Sequence, residues 1–253
     1  MTLQERQLLW AGCANVRHLG GFSARGGQTH ALGLIRADNL SRLTHEGQAA
    51  VRACGVSAVL DLRSAYELEL ERNPFQNTIE GPLYLHRPLM DEADREGMQQ
   101  IEARPDLGGM YVVMLERFPH TIAAIFQALA DAPEGAVVVH CHAGKDRTGL
   151  VTALALALVG VDETHIVEDY VLSDLYLASL YAEIMEKLTP DSREAWRQRE
   201  VSRPEAIETA LRHLRERHGG ADAYLRAAGL SEATLERVER RLVAPLQSSG
   251  SAG

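Results

Sequence analysis

Hydrophobic positions recur along this chain in two periods, and the switches between them predict alternating helices and strands. Residues 41–54 (SRLTHEGQAAVRAC) carry apolar or small side chains at helical spacing, and Gly55 is placed to end that helix. Residues 56–62 (VSAVLDL) follow as a short apolar strand, and residues 83–86 (LYLH) read as another. Pro119 suits the first position of a helix that continues through residues 122–129. Residues 136–140 (AVVVH) form a β-branched run bounded by turn residues, the pattern of a strand buried on both faces. A glycine-containing turn then leads into an Ala/Leu helix over about residues 148–158. Strands alternating with helices predict an α/β fold with a central, mostly parallel sheet flanked by helices. Beyond Asp162 the pattern is helical to the end. In residues 204–218, Ile207, Ala210, Leu211 and Leu214 share one stripe, and Gly219-Gly220 closes the segment.

No repeat or linker divides the sequence, so one domain is expected over residues 1–246, with a disordered tail at 247–253 (QSSGSAG). The 253 residues are 45% hydrophobic and 24% charged, which excludes a wholly disordered chain. Lys and Arg total 26 against 35 Asp and Glu, a net charge of 26 − 35 = −9, so nucleic acid is not an expected partner. The same balance argues at first against anionic substrates. Cys13, Cys54 and Cys141 are too few for a disulfide framework, and their odd number leaves a free thiol, which suits a reducing compartment. The longest apolar stretch, residues 149–161, is too short to span a bilayer, and no signal peptide is visible. A soluble, cytoplasmic protein without stable membrane insertion is therefore expected, with signal-less secretion left open.

The chemistry concentrates in residues 137–149 (VVVHCHAGKDRTG). A buried strand ends at Cys141, a tight loop follows, and Arg147 stands just before a helix. Loop amides and the first helical turn supply N–H donors and partial positive charge. His142, Ala143, Gly144, Lys145, Asp146 and Arg147 thus form an anion cradle, in which the planar Arg147 fork grips two phosphoryl oxygens. That local field answers the objection from net charge. It also favours a thiolate nucleophile at Cys141, which needs no separate base. Thr148 is placed to hydrogen-bond the sulfur, and His140 to order the loop. A metal centre at His140-Cys141-His142 is disfavoured, because neighbours on a strand point to opposite faces and no second ligand cluster follows at useful spacing. Neither metal nor cofactor is expected.

The segment HCHAGKDRTG, with Cys141 and Arg147 spaced by five residues, resembles the signature of the atypical bacterial cysteine-based tyrosine phosphatases. Residues 15–21 (NVRHLGG), 34–43 (LIRADNLSRL), 61–64 (DLRS), 169–173 (DYVLS) and 224–231 (YLRAAGLS) are similar to further motifs of that family, so the likeness runs from about residue 10 to 243. The resemblance implies the cysteine-phosphatase fold and a metal-free reaction through a phosphocysteine. Cys141 would attack phosphorus, Arg147 would stabilise the developing charge, and water would release phosphate. It implies Asp146 as the acid, with Asp91 as the second candidate, and Asp61 as a structural partner at a strand end. Lys145 would suit substrates with more than one phosphate, the alternative being a solvated loop lysine. Implied substrates are phosphotyrosine, some phosphoserine and phosphothreonine, and phosphoinositides. The chain departs from the family at His18, where Asp is usual, and at His142, where Phe or Thr is common. Residues 173–201 are long enough for a helical lid, and a protective disulfide from Cys141 to Cys13 or Cys54 would require their close approach. The competing readings are a rhodanese-like sulfurtransferase and a non-catalytic phosphate-recognition module; the Thr148-Gly149 pair after Arg147, and retention of both Cys141 and Arg147, favour the phosphatase.

Overall fold

The structure, a computed structural model, describes residues 4–78, 81–189, 191–193, 196 and 201–245. Along the chain come β1 (Arg17–His18), β2 (Ser23–Ala24), β3 (Gly27–Thr29), β4 (Leu34–Ala37), α1 (His45–Ala53), β5 (Val56–Asp61), α2 (Ala65–Leu70) and β6 (Leu83–His86). Next are α3 (Arg95–Glu102), α4 (Leu107–Arg117), α5 (Pro119–Asp131), β7 (Ala136–His140) and α6 (Asp146–Leu158). The chain continues through α7 (Glu163–Lys187), α8 (Pro204–His213), α9 (Ala221–Ala227), α10 (Glu232–Leu242) and β8 (Val243–Pro245).

A five-stranded sheet in the order β1-β4-β7-β5-β6 forms the centre. β4, β7, β5 and β6 run parallel, and β1 pairs antiparallel with β4 at the edge. The fold is therefore α/β with a mixed, mostly parallel sheet flanked by helices. β7 is buried at every position, as a central parallel strand must be when both faces are covered. Its side chains alternate between two cores: Val137, Val139 and Cys141 join one, and Ala136 and Val138 the other. The parity of the strand thus assigns Cys141 to the face packed by α4, α5 and α6. A small antiparallel sheet, β2-β3-β8, ties the C-terminal part to the N-terminal hairpin.

Several element boundaries differ from the periodicity for local reasons. The helix expected over residues 41–54 begins only at His45, because the Thr44 hydroxyl accepts the Gly47 N–H at 3.1 Å and caps it. Before it, Leu40–Arg42 is a 3-10 turn capped by Asn39. α6 starts at Asp146 rather than Thr148. The α-helix of the 204–218 segment ends at His213, and Leu214–His218 continues as a π turn that stops at Gly219, whose φ is +78°. Among the described residues, no helix is long and apolar enough to cross a membrane. The tail at 247–253 and part of the 173–201 segment lie outside the described residues.

Candidate active site

The loop between β7 and α6 is held by its carbonyl groups. The Asn39 amide donates to His142 O at 2.9 Å, and Asn15 Nδ2 donates to Ala143 O at 2.9 Å. Arg36 Nη2 donates to Gly144 O at 2.7 Å. Trans peptide units point N–H opposite to C=O, and there are no cis bonds among the described residues. Three carbonyls tied outward to the scaffold therefore turn the N–H groups of Ala143, Gly144 and Lys145 the other way, into the space the loop encloses. Gly144 is required at the turn: its φ is +66°, and a Cβ there would stand 2.3 Å from Ala37 O. The start of α6 has no side-chain cap, unlike those of α1, α2, α3, α4, α7 and α10, so its first amides remain available to a ligand.

Beneath the loop lies a buried cluster of charges. Asp169 on α7 pairs with Arg36 Nη1 at 2.8 Å, Arg17 Nε at 3.0 Å and Arg6 Nη1 at 3.3 Å. Burial acts to raise the Asp169 pKa, but the three guanidiniums outweigh it and bring the carboxyl down to about 2. Burial and the neighbouring Arg36 bring Arg17 down to about 10. Arg17 also donates to Asn15 Oδ1 at 2.5 Å, so two arms of the cluster, through Arg36 and through Arg17 and Asn15, reach the loop carbonyls. His18 is buried beside this cluster and accepts the Gly20 N–H at 3.1 Å; desolvation, then Arg6, lowers its pKa and keeps it neutral.

The functional side chains converge above this base. Cys141 is buried, and Thr148 Oγ1 is buried without a hydrogen-bond partner. Arg147 donates to both oxygens of Glu67, at 2.5 and 2.8 Å. Burial disfavours the Arg147 charge, but Glu67, Cys141 and Asp146 outweigh this and raise its pKa. Glu67 is itself fixed by a capping box, in which its carboxylate accepts the Ser64 N–H at 2.8 Å. Burial works against the Glu67 charge, yet Arg147 brings its pKa down to about 2. Asp146 accepts from the Tyr111 hydroxyl at 2.5 Å, and Tyr111 meets the Tyr170 hydroxyl at 2.7 Å. Burial, then the Asp146 charge, raises the Tyr111 pKa well above its usual value, so the phenol remains a donor.

The other sequence candidates occupy distinct positions. Lys145 is fully buried rather than solvated, with Nζ 3.7 Å from Asp146 Oδ2. His142 is exposed at the loop rim. His140 places Nδ1 3.1 Å from Cys141 O and Nε2 3.2 Å from Asp61. Asp61 is fully buried and accepts from Arg63 at 2.7 and 2.9 Å; burial acts against its charge, but His140 and Arg63 hold it well below the usual carboxylate range. Asp91 is exposed, and its carboxylate accepts the Ala93 N–H at 2.9 Å. A cavity of about 660 Å³ adjoins the loop, lined by Glu67, Asp146 and Arg147 together with Met90, Met98, Met110 and Met114. Leu188, Ser192 and Trp196, from the segment expected to provide a lid, also line it, whereas Asp91 does not. Cys13 donates to Asn39 O at 3.6 Å, and burial, then Asp38, pushes its thiol pKa up.

Sequence reasoning missed Glu67, Tyr111, and the roles of Asn15, Arg17, Arg36 and Asp169. Ser64-x-x-Glu67 was legible as a capping box; that its carboxylate would also hold Arg147 was not.

A cradle of inward amides at an uncapped helix start, with a thiol and a guanidinium on the same loop, is equipped for phosphoryl transfer to sulfur. The chain belongs to the tyrosine phosphatase family, which it matches over residues 8–244. It is similar to a tyrosine-protein phosphatase of Nostoc commune, with 31% identity over 219 residues covering 82% of this chain and 73% of the relative. It is also similar to the triple specificity protein phosphatase PtpB of Mycobacterium tuberculosis, with 28% identity over 249 residues covering 81% of this chain and 88% of that protein. Membership of this family sets aside the sulfurtransferase reading.

Proposed function

We propose that the protein hydrolyses phosphotyrosine through a phosphocysteine intermediate, without a metal ion. The Cys141 sulfur forms a bond to phosphorus as the ester P–O bond breaks, and Asp146 gives its proton to the departing oxygen. Water then attacks phosphorus, Asp146 takes a proton from that water, and the S–P bond breaks to return the thiolate and inorganic phosphate. Inward loop amides and Arg147 hold the equatorial charge, a contribution worth roughly 10²–10³ in rate for each such donor. The Thr148 hydroxyl, lacking a partner, is available to the departing sulfur.

The observation that carries this reading is the placement of Asp146. It lines the same cavity as Arg147 and is oriented by Tyr111, whereas Asp91 is exposed and taken up by its own turn. The methionines of the same lining offer an apolar, adaptable surface to an aromatic ring, which supports phosphotyrosine and tolerates phosphoserine and phosphothreonine. Phosphoinositides belong to the proposed range through the same cradle. Lys145, enclosed beside Asp146, adds positive charge under the loop. Location in the cytoplasm is part of the same proposal.

Phosphate release from a phosphotyrosine peptide and a phosphoinositide, measured for the parent and Cys141→Ser with a chelator present, tests the mechanism. Activity is expected in the parent and absent in the variant. Turnover surviving in Cys141→Ser, or abolished by the chelator, would overturn it; no turnover in the parent would mark a recognition module instead. Asp146→Asn should lose about 10²–10⁴ in rate on substrates with poor leaving groups and far less on good ones. Asp91→Asn should resemble the parent on both.

A further inference from the structure

Glu116, His213 and His218 meet on the side of the molecule where α4 packs against α8, and the phosphoryl-transfer site uses none of them. Glu116 is in the last turn of α4. Its Oε1 lies 2.6 Å from His213 Nε2 and 2.8 Å from His218 Nε2, so two imidazoles converge on one carboxylate oxygen. One ligand atom from each of the three residues lies within 4.8 Å of the others.

An uncommon backbone brings them together. His213 and His218 are five residues apart, and on a continuous α-helix they would project about 140° apart around the axis. The π turn over Leu214–His218 winds more widely than an α-helix, which turns the two histidines toward each other. The two imidazole centroids are 5.6 Å apart, and His218 packs edge-on against Tyr224 at 5.1 Å. The Tyr224 hydroxyl donates to Leu115 O at 2.8 Å, one residue before Glu116, which fixes His218 relative to the carboxylate. Arg215, between the histidines in sequence, pairs with Glu163 on α7.

We propose that Glu116, His213 and His218 bind a divalent transition-metal ion of the zinc class through two imidazole nitrogens and one carboxylate oxygen. Mixed nitrogen and oxygen donors suit Zn²⁺, whereas Ca²⁺ and Mg²⁺ favour six or more oxygens. Ligand atoms at about 2.0–2.2 Å from such an ion require only side-chain adjustment from the present spacing, and water completes the tetrahedron. The ion joins α4 to the π turn. Because α4 carries Tyr111, it stiffens the wall that orients Asp146 and takes no part in the reaction.

The test uses metal-free Cys141→Ser protein, in which the reactive thiol no longer competes for zinc. Titration with Zn²⁺ by calorimetry should show one equivalent bound at micromolar affinity or tighter, weakened at least about tenfold in Glu116→Gln and in His218→Gln. Co²⁺ in place of zinc should give the intense visible bands of a four-coordinate site in the Cys141→Ser protein and lose them when Glu116→Gln or His218→Gln is added. Absence of saturable zinc binding in the Cys141→Ser protein would overturn the proposal whatever the variants do. Unchanged affinity in a folded His213→Ala/His218→Ala variant, checked by circular dichroism, would place the ion elsewhere and overturn it too. If that variant does not fold, the cobalt spectrum of the Cys141→Ser protein decides, and bands of octahedral type count against the site.

Discussion

Replacing Asp169 by Asn removes the one negative charge shared by Arg6, Arg17 and Arg36 while keeping the shape of the side chain. Asn approximates the protonated acid, so the cost follows from the carboxyl's titration. Bringing its pKa from 3.8 down to about 2 stabilises the native state by about 2 kcal/mol at neutral pH. A group lowered in the folded state contributes fully above its unfolded pKa and loses that contribution as pH falls through the folded one. At pH 3 roughly half should remain. For a chain of this size the loss corresponds to about 4–8 °C in Tm at pH 7. Asp169→Ala, which also removes the hydrogen bonds, should cost about 3–5 kcal/mol. Thermal unfolding of parent and variants at pH 7 and pH 3, followed by circular dichroism, measures this directly. The arms to Gly144 O and Asn15 loosen together, so kcat/KM at 25 °C should fall about tenfold or more in the folded Asn variant. A Tm change below about 2 °C at pH 7 would refute the charge argument, as would a gap equally wide at pH 3.

Three further outcomes follow from the loop. Gly144→Ala combines a φ of +66° with a Cβ 2.3 Å from Ala37 O, so it should lower stability by at least about 1–3 kcal/mol and remove nearly all activity; a variant with parental kinetics would contradict the required turn. Glu67→Gln unlocks Arg147 and should reduce kcat/KM about 10–100-fold. Because the Glu67 carboxyl is brought down to about 2, the pair persists until the pH approaches 2, so Glu67 itself should contribute no limb to the pH–rate profile near neutrality. Tyr111→Phe removes the donor to Asp146 and should slow poor leaving groups about tenfold while sparing good ones; equal loss on both would assign Tyr111 to packing alone.

The fold class was legible because β-branched runs such as residues 136–140 and the Ala/Leu helix after them leave little choice of partner layer. Boundaries were less legible where a side chain overrode periodicity. Thr44 caps α1 three residues into the expected helix, and the stripe of 204–218 conceals a change from α to π winding at Leu214. Cys141 and Arg147 stood out because strand, loop and helix follow each other within a dozen residues. The loop's supports did not. Asn15, Arg17, Arg36 and Asp169 act on it from elsewhere in the sequence, Asn15 reaching Gly144 across 129 residues, and no local pattern marks an arginine that will be buried. Lys145 shows the same limit, since the sequence left a solvated lysine open as the alternative and the fold encloses the side chain.

The Asp169 cluster also sets a timetable for synthesis. The ribosome delivers Cys141 and Arg147 before it delivers Asp169 and Ser173, whose side chains hold Arg17 and Arg36 in place under the loop. Arg6 must wait through 163 further positions for its partner. Chain closure over such separations is slow compared with local helix formation. The nascent chain therefore passes through a stage in which the reactive thiol exists but its cradle does not. Catalytic competence arrives only when the two ends of this long-range contact have been joined.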